Sequence, residues 1–275
     1  VSIAESLETI AIQVLKRSNV KIHDVTIIDF LGSAISIKGV TPPYTGFNGT
    51  YVIPTLYETG NEIYNSVITD CADRAYGGGS IDFNDQEGLL IHDNIFRNDR
   101  RADNHNGNIL SGWWGFSKGL KIYNNKFYKP LIETTGWNFI GEIGMSYGGN
   151  EVYNNEFHNG VGLDIAAIEN VKGTYGYSWW IHDNLFQLDR RITLAEDYHG
   201  MYAVCWEGTN EDDIFNNNHI VNYPNGVSIS MIQSPRHTSN IRINNNIFEN
   251  MGHSDNLWSF IFPFGSHSAG NILEN

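Results

Sequence analysis

Apolar and polar positions along this 275-residue chain recur in a six-residue motif about once every 30 residues. The motif is an Ile or Val, a variable residue, two Asn or Asp residues, a variable residue and a Phe. Clear copies begin at Ile91, Ile122, Val152, Ile181 and Ile243, and weaker copies at Ile22, Ile63 and Ile214. A period of about 20 to 50 residues is typical of solenoids, propellers and other repeat arrays.

The alternation within each copy predicts a strand, a corner and a second strand. The first Ile points inward, the next residue points outward, and the final Phe points inward again. Asn and Asp suit the corner because they tolerate left-handed backbone conformations. When coils stack about 4.8 Å apart, the corner Asn residues should form a ladder. An internal ring stack is expected from Phe96, Phe127, Phe157, Phe186 and Phe248.

A third strand is predicted after each motif, beyond a loop of variable length. Its copies include Ile35–Ile37, Ile81–Phe83, Ile109–Ser111, Glu142–Met145, Leu163–Ile165, Tyr202–Val204 and Val227–Ile229. Three short strands per repeat predict an all-β parallel β-helix of about eight coils in one domain, residues 1–275. The Leu signature of leucine-rich repeats and the hairpin turns of propeller blades are both missing.

The start of the chain allows two interpretations. Ser2 to Glu5 resembles a helix capping box, which favours a short helix over the first eleven residues. Alternation at Ile10, Ile12 and Val14 instead favours a strand. Either element could cover the open end of a solenoid.

Charge and composition exclude several classes of function. A formal charge of −14 with only 17 Lys and Arg argues against nucleic acid and against unaided binding of a polyanionic glycan. A neutral polymer or a metal-bridged anion fits better. No apolar run approaches the roughly 20 residues of a membrane span. Cys71 and Cys205 lack metal-ligand spacing and are expected to be small packed residues.

Tryptophan gives the first indication of a binding surface. Trp113, Trp114, Trp137 and Trp206 all flank the third-strand face, together with Tyr202. Aromatic rings stack on the apolar faces of pyranose rings and still offer N–H or O–H groups to hydroxyls. The alternative is that these rings cap loops, and Trp179 is expected to point inward by alternation.

Outward residues of the motif form a second predicted row. Its members are His23, Tyr64, His92, Tyr123, Tyr153, His182 and Phe215. Such a strip could be a ligand platform, although aromatic stacking between neighbouring strands explains it equally well.

Carboxylates form a third candidate group. Asp82, Glu142 and Asp164 are predicted to point outward from the third strand, with Glu142 and Asp164 in neighbouring coils. Neighbouring coils would hold the two carboxyls about 5 Å apart, the separation used by retaining glycosidases. The same groups could accept hydrogen bonds from sugar hydroxyls or bind Ca²⁺. This reasoning depends on a register that a one-residue error would invert.

A duplicated basic segment is the best argument for lyase chemistry. Asp99-Arg100-Arg101 and Asp189-Arg190-Arg191 follow a motif Phe at identical offsets, with His105 and His199 a few residues beyond. A polysaccharide lyase needs a base and cations around a uronate carboxylate. The duplication favours a loop-anchoring salt bridge, because an active site is seldom built twice.

The Ile-x-Asn-Asn-x-Phe coils resemble those of the right-handed parallel β-helix superfamily, which includes pectate lyases and polygalacturonases. The resemblance covers the whole chain but is nearly silent on activity. The pectate-lyase calcium cluster with its catalytic Arg and the polygalacturonase motif set are both missing from this sequence. The overall character also resembles the β-helical xylan-binding module, carbohydrate-binding module family 89, from which no binding residue is transferred.

These resemblances imply a non-catalytic module that binds a plant cell-wall polysaccharide, with xylan as the expected ligand. The expected site contains Trp113, Trp114, Trp137, Trp206, Tyr202, Asp82, Glu142 and Asp164. No cofactor other than a possible Ca²⁺ is expected. The chain is expected to be an extracellular part of a larger secreted protein, beside a catalytic domain. The alternative is an enzyme, either a hydrolase using Glu142 and Asp164 or a lyase using Arg100, Arg190 and His199.

Overall fold

The computed structural model describes residues 9–39, 56–72, 79–99, 108–112, 116–131, 139–144, 146–167, 176–177, 179–196, 201–208, 210–230, 238–255, 268–269 and 272–274. Within these residues every regular element is a β-strand. All strand pairs are parallel, and the strands stack into three long sheets and two short ones. The architecture is a right-handed parallel β-helix, as the sequence pattern and the resemblance predicted.

The three long sheets are named A, B and C in chain order. Sheet A contains Ile12–Leu15, Ile35–Lys38, Gly79–Asn84, Asn108–Ser111, Phe139–Gly144, Val161–Ala167, Tyr202–Gly208 and Asn225–Ser230. Sheet B contains Lys21–His23, Glu62–Tyr64, Leu90–His92, Lys121–Tyr123, Asn150–Tyr153, Trp179–His182, Ile214–Asn216, Arg242–Asn244 and Ile272–Glu274. Sheet C contains Thr26–Ile28, Val67–Thr69, Ile95–Arg97, Lys126–Tyr128, Glu156–His158, Leu185–Gln187, His219–Val221 and Ile247–Glu249.

Each coil runs through sheets A, B and C in that order, which gives eight coils with a ninth strand in sheet B. The predicted third strand is sheet A, and the motif supplies sheets B and C. An element that the sequence pattern missed is a two-residue strand between sheets A and B. It forms sheet D in Glu58–Thr59, Gln86–Glu87, Ser117–Lys118 and Ser146–Tyr147, and sheet E in Gly176–Tyr177, Asn210–Glu211, Thr238–Ser239 and Ser268–Ala269.

A buried Asn ladder closes the corner between sheets B and C. Its members are Asn94, Asn125, Asn155, Asn184, Asn218 and Asn246. In every member from Asn94 to Asn218, Nδ2 donates to the Oδ1 of the member in the next coil, at 3.0 Å from Asn125 to Asn155. The same Oδ1 accepts the backbone N–H of the preceding coil's ladder residue, and Nδ2 also reaches a backbone carbonyl one coil earlier. A buried side chain here must both donate and accept, so Asp cannot replace Asn.

The first corner residue of each coil, which begins an Asx pair in six of the eight coils, has the opposite environment. Asp24, Asn65, Asp93, Asn124, Asn154, Asp183, Asn217 and Asn245 are exposed, and their φ angles lie between 53° and 56°. Since these side chains face solvent, either Asn or Asp is acceptable, and the left-handed backbone selects both over other residues. The first corner residue is therefore selected by its backbone conformation, and the second by its buried hydrogen bonds.

The internal Phe stack is shorter than predicted. Centroids of Phe96, Phe127, Phe157 and Phe186 lie 4.5 to 5.0 Å apart along the axis. Phe248 occupies the same row but is separated from Phe186 by Ile220, which pairs with both. The prediction that Phe248 joins the stack was wrong, because one coil carries an aliphatic residue there.

The motif copy near residue 214 is also shifted by one position. Phe215, not Ile214, pairs with Ile181 and Ile243, and its side chain is completely buried. Its predicted outward position is therefore wrong, and Asn216 faces outward in its place. The error arises because three successive Asn residues follow Phe215, and only the second and third make the corner. A one-residue slip moves every side chain to the opposite face.

At the start of the described chain, the strand interpretation is confirmed for Ile12–Leu15, which pairs with Ile35–Lys38. The predicted capping box lies outside the described residues. Both cysteines are completely buried free thiols, as expected for packed residues. Burial raises the pKa of the Cys71 thiol.

Candidate functional site

The outward row of sheet A carries the predicted carboxylates. Asp82 pairs with Ser111, Ser111 with Glu142, and Glu142 with Asp164, so the predicted neighbouring positions of Glu142 and Asp164 are confirmed. Asp82 is partly exposed and its Oδ2 lies 2.7 Å from Nζ of Lys38. Asp164 is only 2% exposed, and the side chain of Glu142 lies outside the described residues. Of the two described carboxylates, only Asp82 faces solvent.

The structure differs more from the prediction at the aromatic cleft expected on sheet A. Trp206 is completely buried in the core and pairs with Ile165 and Ile229, so its predicted contact with sugar was wrong. Sheet A continues to Gly208, and alternation beyond the predicted end of this strand turns Trp206 inward. Tyr202 is 6% exposed and packs with Val161 and Cys205. The predicted sugar-binding residues Trp113, Trp114 and Trp137 lie outside the described residues.

The described part of the duplicated basic segment is structural. Arg190 binds Glu196 through both guanidinium nitrogens, with Nη2 at 2.6 Å from Oε1. The hydrogen bond from Arg190, followed by that from the backbone N–H of Thr193, lowers the pKa of Glu196 to about 2. Asp189 exchanges two hydrogen bonds with Asn159 of the previous coil. These contacts anchor the loop after sheet C, whereas Arg100, Arg101, His105 and His199 lie outside the described residues.

The outward row of sheet B is a continuous column of stacked rings. His23, Tyr64, His92, Tyr123, Tyr153 and His182 have ring centroids 4.6 to 5.2 Å apart and planes within 15° of parallel. Each ring inside the column contacts a neighbouring ring on both faces, so these faces cannot stack on a sugar. The column therefore matches the structural interpretation of the predicted strip.

Ring identity in the column follows the next residue in the sequence. Every His precedes an Asp, at His23, His92 and His182, and every Tyr precedes an Asn. In each His pair, Nδ1 lies 2.7 Å from the carboxylate of the following Asp. The carboxylate accepts a hydrogen bond, and an imidazole nitrogen that carries a hydrogen can donate it.

Two of these His residues belong to longer charged chains with the same design. Lys21 contacts Glu62 at 2.7 Å, and Glu62 contacts Nε2 of His92 at 2.8 Å. Three coils further on, Lys121 contacts Glu151 at 3.0 Å, and Glu151 contacts Nε2 of His182 at 3.2 Å.

Glu62 and Glu151, the central carboxyls of the two chains, both have a lowered pKa. Hydrogen bonds from Lys21 and His92 hold the pKa of Glu62 below its usual value. Partial burial raises the pKa of Glu151, but the hydrogen bonds from Lys121 and His182 outweigh it and leave that pKa lowered. Both carboxyls are therefore ionised at neutral pH.

A cleft opens beside the second charged chain. It has a volume of about 270 Å³ and is lined by Gly149, Asn150, Glu151, Trp179, Trp180, Asp212 and Ile214. Trp180 is 44% exposed, stacks on His182 with ring centroids 4.0 Å apart, and donates from Nε1 to Oδ1 of Asn216 at 2.8 Å. Trp179 points inward and is 1% exposed, as predicted. The cleft combines an exposed indole with carboxylates and a buried amide.

This cleft was missed from the sequence, although a signal for it was present. Gly60-Asn61-Glu62 and Gly149-Asn150-Glu151 are copies, and each is followed one coil later by Ile-His-Asp-Asn. The register places Leu90 of the first copy and Trp180 of the second in the same row. At this outward position the second copy has Trp180 where the first has Leu90, and this difference is visible in the sequence.

The described residues contain neither a metal-binding cluster nor a membrane-spanning helix. No group of three or more His, Cys, Asp or Glu side chains is arranged there to hold a metal ion, so the predicted Ca²⁺ gains no ligand set. The same part of the chain contains no helix of the length and apolarity that crossing a membrane requires.

Comparison of the chain with protein-family models, with curated proteins and with solved structures gives no match. The sheet B cleft around Trp180 is therefore assigned from its own geometry as the candidate functional site.

Proposed function

We propose that this chain is a non-catalytic module that binds a neutral polysaccharide, with xylan as the first ligand to test. One observation carries the proposal: a solvent-exposed Trp180 forms the wall of a cleft that also holds the Glu151 carboxylate. Aromatic rings with adjacent hydrogen-bonding groups suit sugar rings, which have apolar faces and hydroxyl edges.

The duplicate copy argues that Trp180 is not required by the fold. Leu90 fills the same row position beside an equivalent Lys, Glu and His chain, and the fold accommodates it. An exposed aromatic ring in a cleft that also holds a carboxylate fits ligand binding. The acidic balance of the chain, −14, fits a neutral ligand better than a polyanion.

The setting of the protein follows from the same proposal. A module that binds a plant cell-wall polysaccharide would work outside the cell, as part of a secreted protein with a covalently linked catalytic domain. The predicted residues Trp113, Trp114 and Trp137 remain candidates for further sugar contacts. Asp82 remains a candidate acceptor for sugar hydroxyls on sheet A.

Affinity electrophoresis in gels that contain soluble xylan tests the proposal. The chain should be retarded, Trp180→Ala should restore normal migration, and Leu90→Ala should leave the retardation unchanged. Loss of one central aromatic contact should weaken binding about tenfold or more. Normal migration of the unmodified chain on xylan and on a panel of other neutral glycans would contradict the proposal.

An enzymatic alternative rests on one confirmed pairing, the neighbouring positions of Glu142 and Asp164 on sheet A. Two carboxyls on adjacent coils could act as nucleophile and acid in a retaining hydrolase. A reducing-end assay on the same glycan panel separates the two proposals. Sugar release that Glu142→Gln abolishes would establish the enzyme, and binding without release would leave the module.

A further inference from the structure

One side chain contacts both outward groups of the cleft. His182 lies two residues after Trp180 on the same strand, and its ring stacks on the indole with centroids 4.0 Å apart. Its Nε2 lies 3.2 Å from Oε1 of Glu151 in the preceding coil. Glu151 and Trp180 are register partners on adjacent strands, and both line the cleft. His182 therefore fixes the position of the carboxylate relative to the indole.

The ring column ends at this histidine, and Trp180 covers its last face. Tyr153 of the preceding coil stacks on His182 with centroids 5.2 Å apart and planes 3° from parallel. In the next coil the register partner of His182 is Asn216, which has no ring to continue the column. The indole stacks there instead and donates from Nε1 to Asn216. One face of the indole is thus held by the protein, and the opposite face remains for a ligand.

Both ring nitrogens of His182 face carboxylates. Nδ1 lies 2.7 Å from Oδ2 of Asp183, and Nε2 lies 3.2 Å from Oε1 of Glu151. A neutral imidazole carries one N–H, whereas an imidazolium carries two. Only the charged ring can donate to both carboxylates at once.

The other ionisable groups around the ring keep their charge near neutral pH. Lys121 contacts the second oxygen of Glu151 at 3.0 Å, which raises the pKa of the lysine and helps to lower that of Glu151. Partial burial raises the pKa of Tyr153. The strand of the next coil, Ile214–Asn216, carries no titratable side chain. Histidine is the side chain that ordinarily changes charge between about pH 5 and 8, so pH acts on this network through His182.

We infer that His182 is the positioning residue of the cleft, whose imidazolium form holds the Glu151 carboxylate and the Trp180 indole in place for a sugar ring. The inference rests on the proposed function and names a regulation of that site by pH. A neutral ring keeps one donor, and its shorter contact is with Asp183, so the contact with Glu151 is the one that is lost. The attraction between the cation and the indole is lost with it. Ligand binding should therefore weaken as pH rises.

The first copy of the network supplies a matched control. His92 makes the same two contacts, with Asp93 at 2.7 Å and with Glu62 at 2.8 Å. A tyrosine ring covers each of its faces. Leu90 occupies the row position of Trp180, so a change at His92 disturbs an equivalent network away from the cleft.

His182→Tyr and His92→Tyr make the same change in the two copies. Tyrosine occupies this row in three other coils, so the column keeps a ring while the imidazole and its two hydrogen bonds are removed. Xylohexaose binding should be measured by calorimetry at about pH 5.5 and about pH 8.5. We expect the unmodified chain and His92→Tyr to bind about three- to tenfold more weakly at the higher pH, the effect of one hydrogen bond. His182→Tyr should bind weakly at both pH values.

Asp213 is a second source of pH dependence that the variants separate. It follows Asp212 of the cleft lining, and burial raises the pKa of its carboxyl well above 3.8. Both variants retain Asp213, so a pH dependence that arises there survives in His182→Tyr. Such survival overturns the role of His182. A pH-independent affinity of the unmodified chain overturns it without any variant.

The outcomes distinguish this inference from the proposed function. If Trp180→Ala abolishes binding while His182→Tyr keeps the affinity and the pH profile of the unmodified chain, the role of His182 is overturned and the binding function stands. If the unmodified chain binds no glycan at either pH, the proposed function is contradicted, and the inference falls with it.

Discussion

Leu90 and Trp180 occupy the same row of sheet B, three coils apart, beside equivalent Glu and His residues. Leu90 is partly buried, in the copy in which the amide of Asn61 is fully hydrogen-bonded. Trp180 stands half exposed at a cleft with an unsatisfied amide. The chain thus contains a structural copy and a modified copy of one arrangement, and each can serve as the control for the other.

Substitution of Trp179 should lower stability, whereas substitution of the adjacent Trp180 should mainly affect binding. Trp179 is 1% exposed, so Trp179→Ala should lower the free energy of unfolding by about 3 to 5 kcal/mol. Trp180→Ala should cost about 1 kcal/mol or less, because the side chain is 44% exposed. Chemical denaturation followed by circular dichroism measures both, and equal losses would contradict this division.

Removal of one rung of the Asn ladder should be costly at its centre. Asn155→Ala would leave the N–H of Asn125 and the carbonyl of Ile122 without their partner in a buried corner. We expect a loss of about 3 kcal/mol or more in unfolding free energy. Asn246→Ala, at the partly exposed end of the ladder, is the control and should cost less, because water can replace its hydrogen bonds. A larger loss at Asn246 would refute the ladder argument.

Gly162 should not tolerate a side chain. A Cβ there would lie 1.9 Å from the backbone oxygen of Ala203 in the next coil of sheet A. Gly162→Ala must therefore separate two coils and should cost about 3 kcal/mol or more, measured as a fall in melting temperature.

Gly88→Ala is the matched control, because its Cβ would meet open space and only the φ of +69° opposes it. That strain should cost about 1 kcal/mol. Equal stability of the two variants would show that the coil spacing at Gly162 is not limiting.

Asp213 should make stability fall as pH rises. Its complete burial raises the pKa of the carboxyl well above 3.8, although the N–H of Trp179 and the nearby indole of Trp206 act in the opposite direction. A carboxyl whose folded-state pKa is raised favours the folded state at low pH. This contribution is lost as pH climbs from the unfolded pKa through the folded one.

Asp213→Asn removes that titration. Relative to the variant, the unmodified chain should lose stability progressively between about pH 4 and the raised pKa and change no further above it. Urea denaturation of both proteins across this range measures the difference. A constant difference across the range would show that the carboxyl does not titrate there.

The pairing of His with Asp and of Tyr with Asn should appear as energetic coupling. His92→Tyr leaves the Asp93 carboxylate without its donor, and Asp93→Asn leaves Nδ1 of His92 without its acceptor. The double variant recreates the Tyr-Asn pair found at Tyr123 and Asn124. Its destabilisation should be smaller than the sum of the single losses by about 0.5 kcal/mol or more. Strict additivity in urea denaturation would contradict the coupling.

Much of the fold could be predicted from the sequence because its causes are local and repeated. The spacing of Ile, Asx and Phe fixed the strands, the corner and the coil number, since every coil meets the same neighbours. Errors occurred at Phe215 and Trp206, where a third Asn and a longer strand shifted the register. The two-residue strands of sheets D and E were missed because two residues carry no detectable period.

The candidate site was predicted less well for a related reason. Sequence reasoning placed Asp82, Glu142 and Asp164 in one row of sheet A correctly, because the repeat determines the register. It could not determine that Asp164 is buried while Trp180 is exposed, since exposure depends on what packs over an outward face. It also treated the two Asp-Arg-Arg segments as the notable duplication and overlooked the Gly-Asn-Glu copies.

The sequence by itself determined a parallel β-helix of about eight coils, with the buried Asn ladder and the Phe stack that hold successive coils together. These features follow from residue type and spacing, because each corner must satisfy the same hydrogen bonds and each coil must fill the same core. Only the tertiary structure decided which copy of a repeated arrangement is complete and which is open. The amides of Asn61 and Asn150 have identical neighbours in sequence, and they differ because Gln86, distant in sequence, reaches only the first.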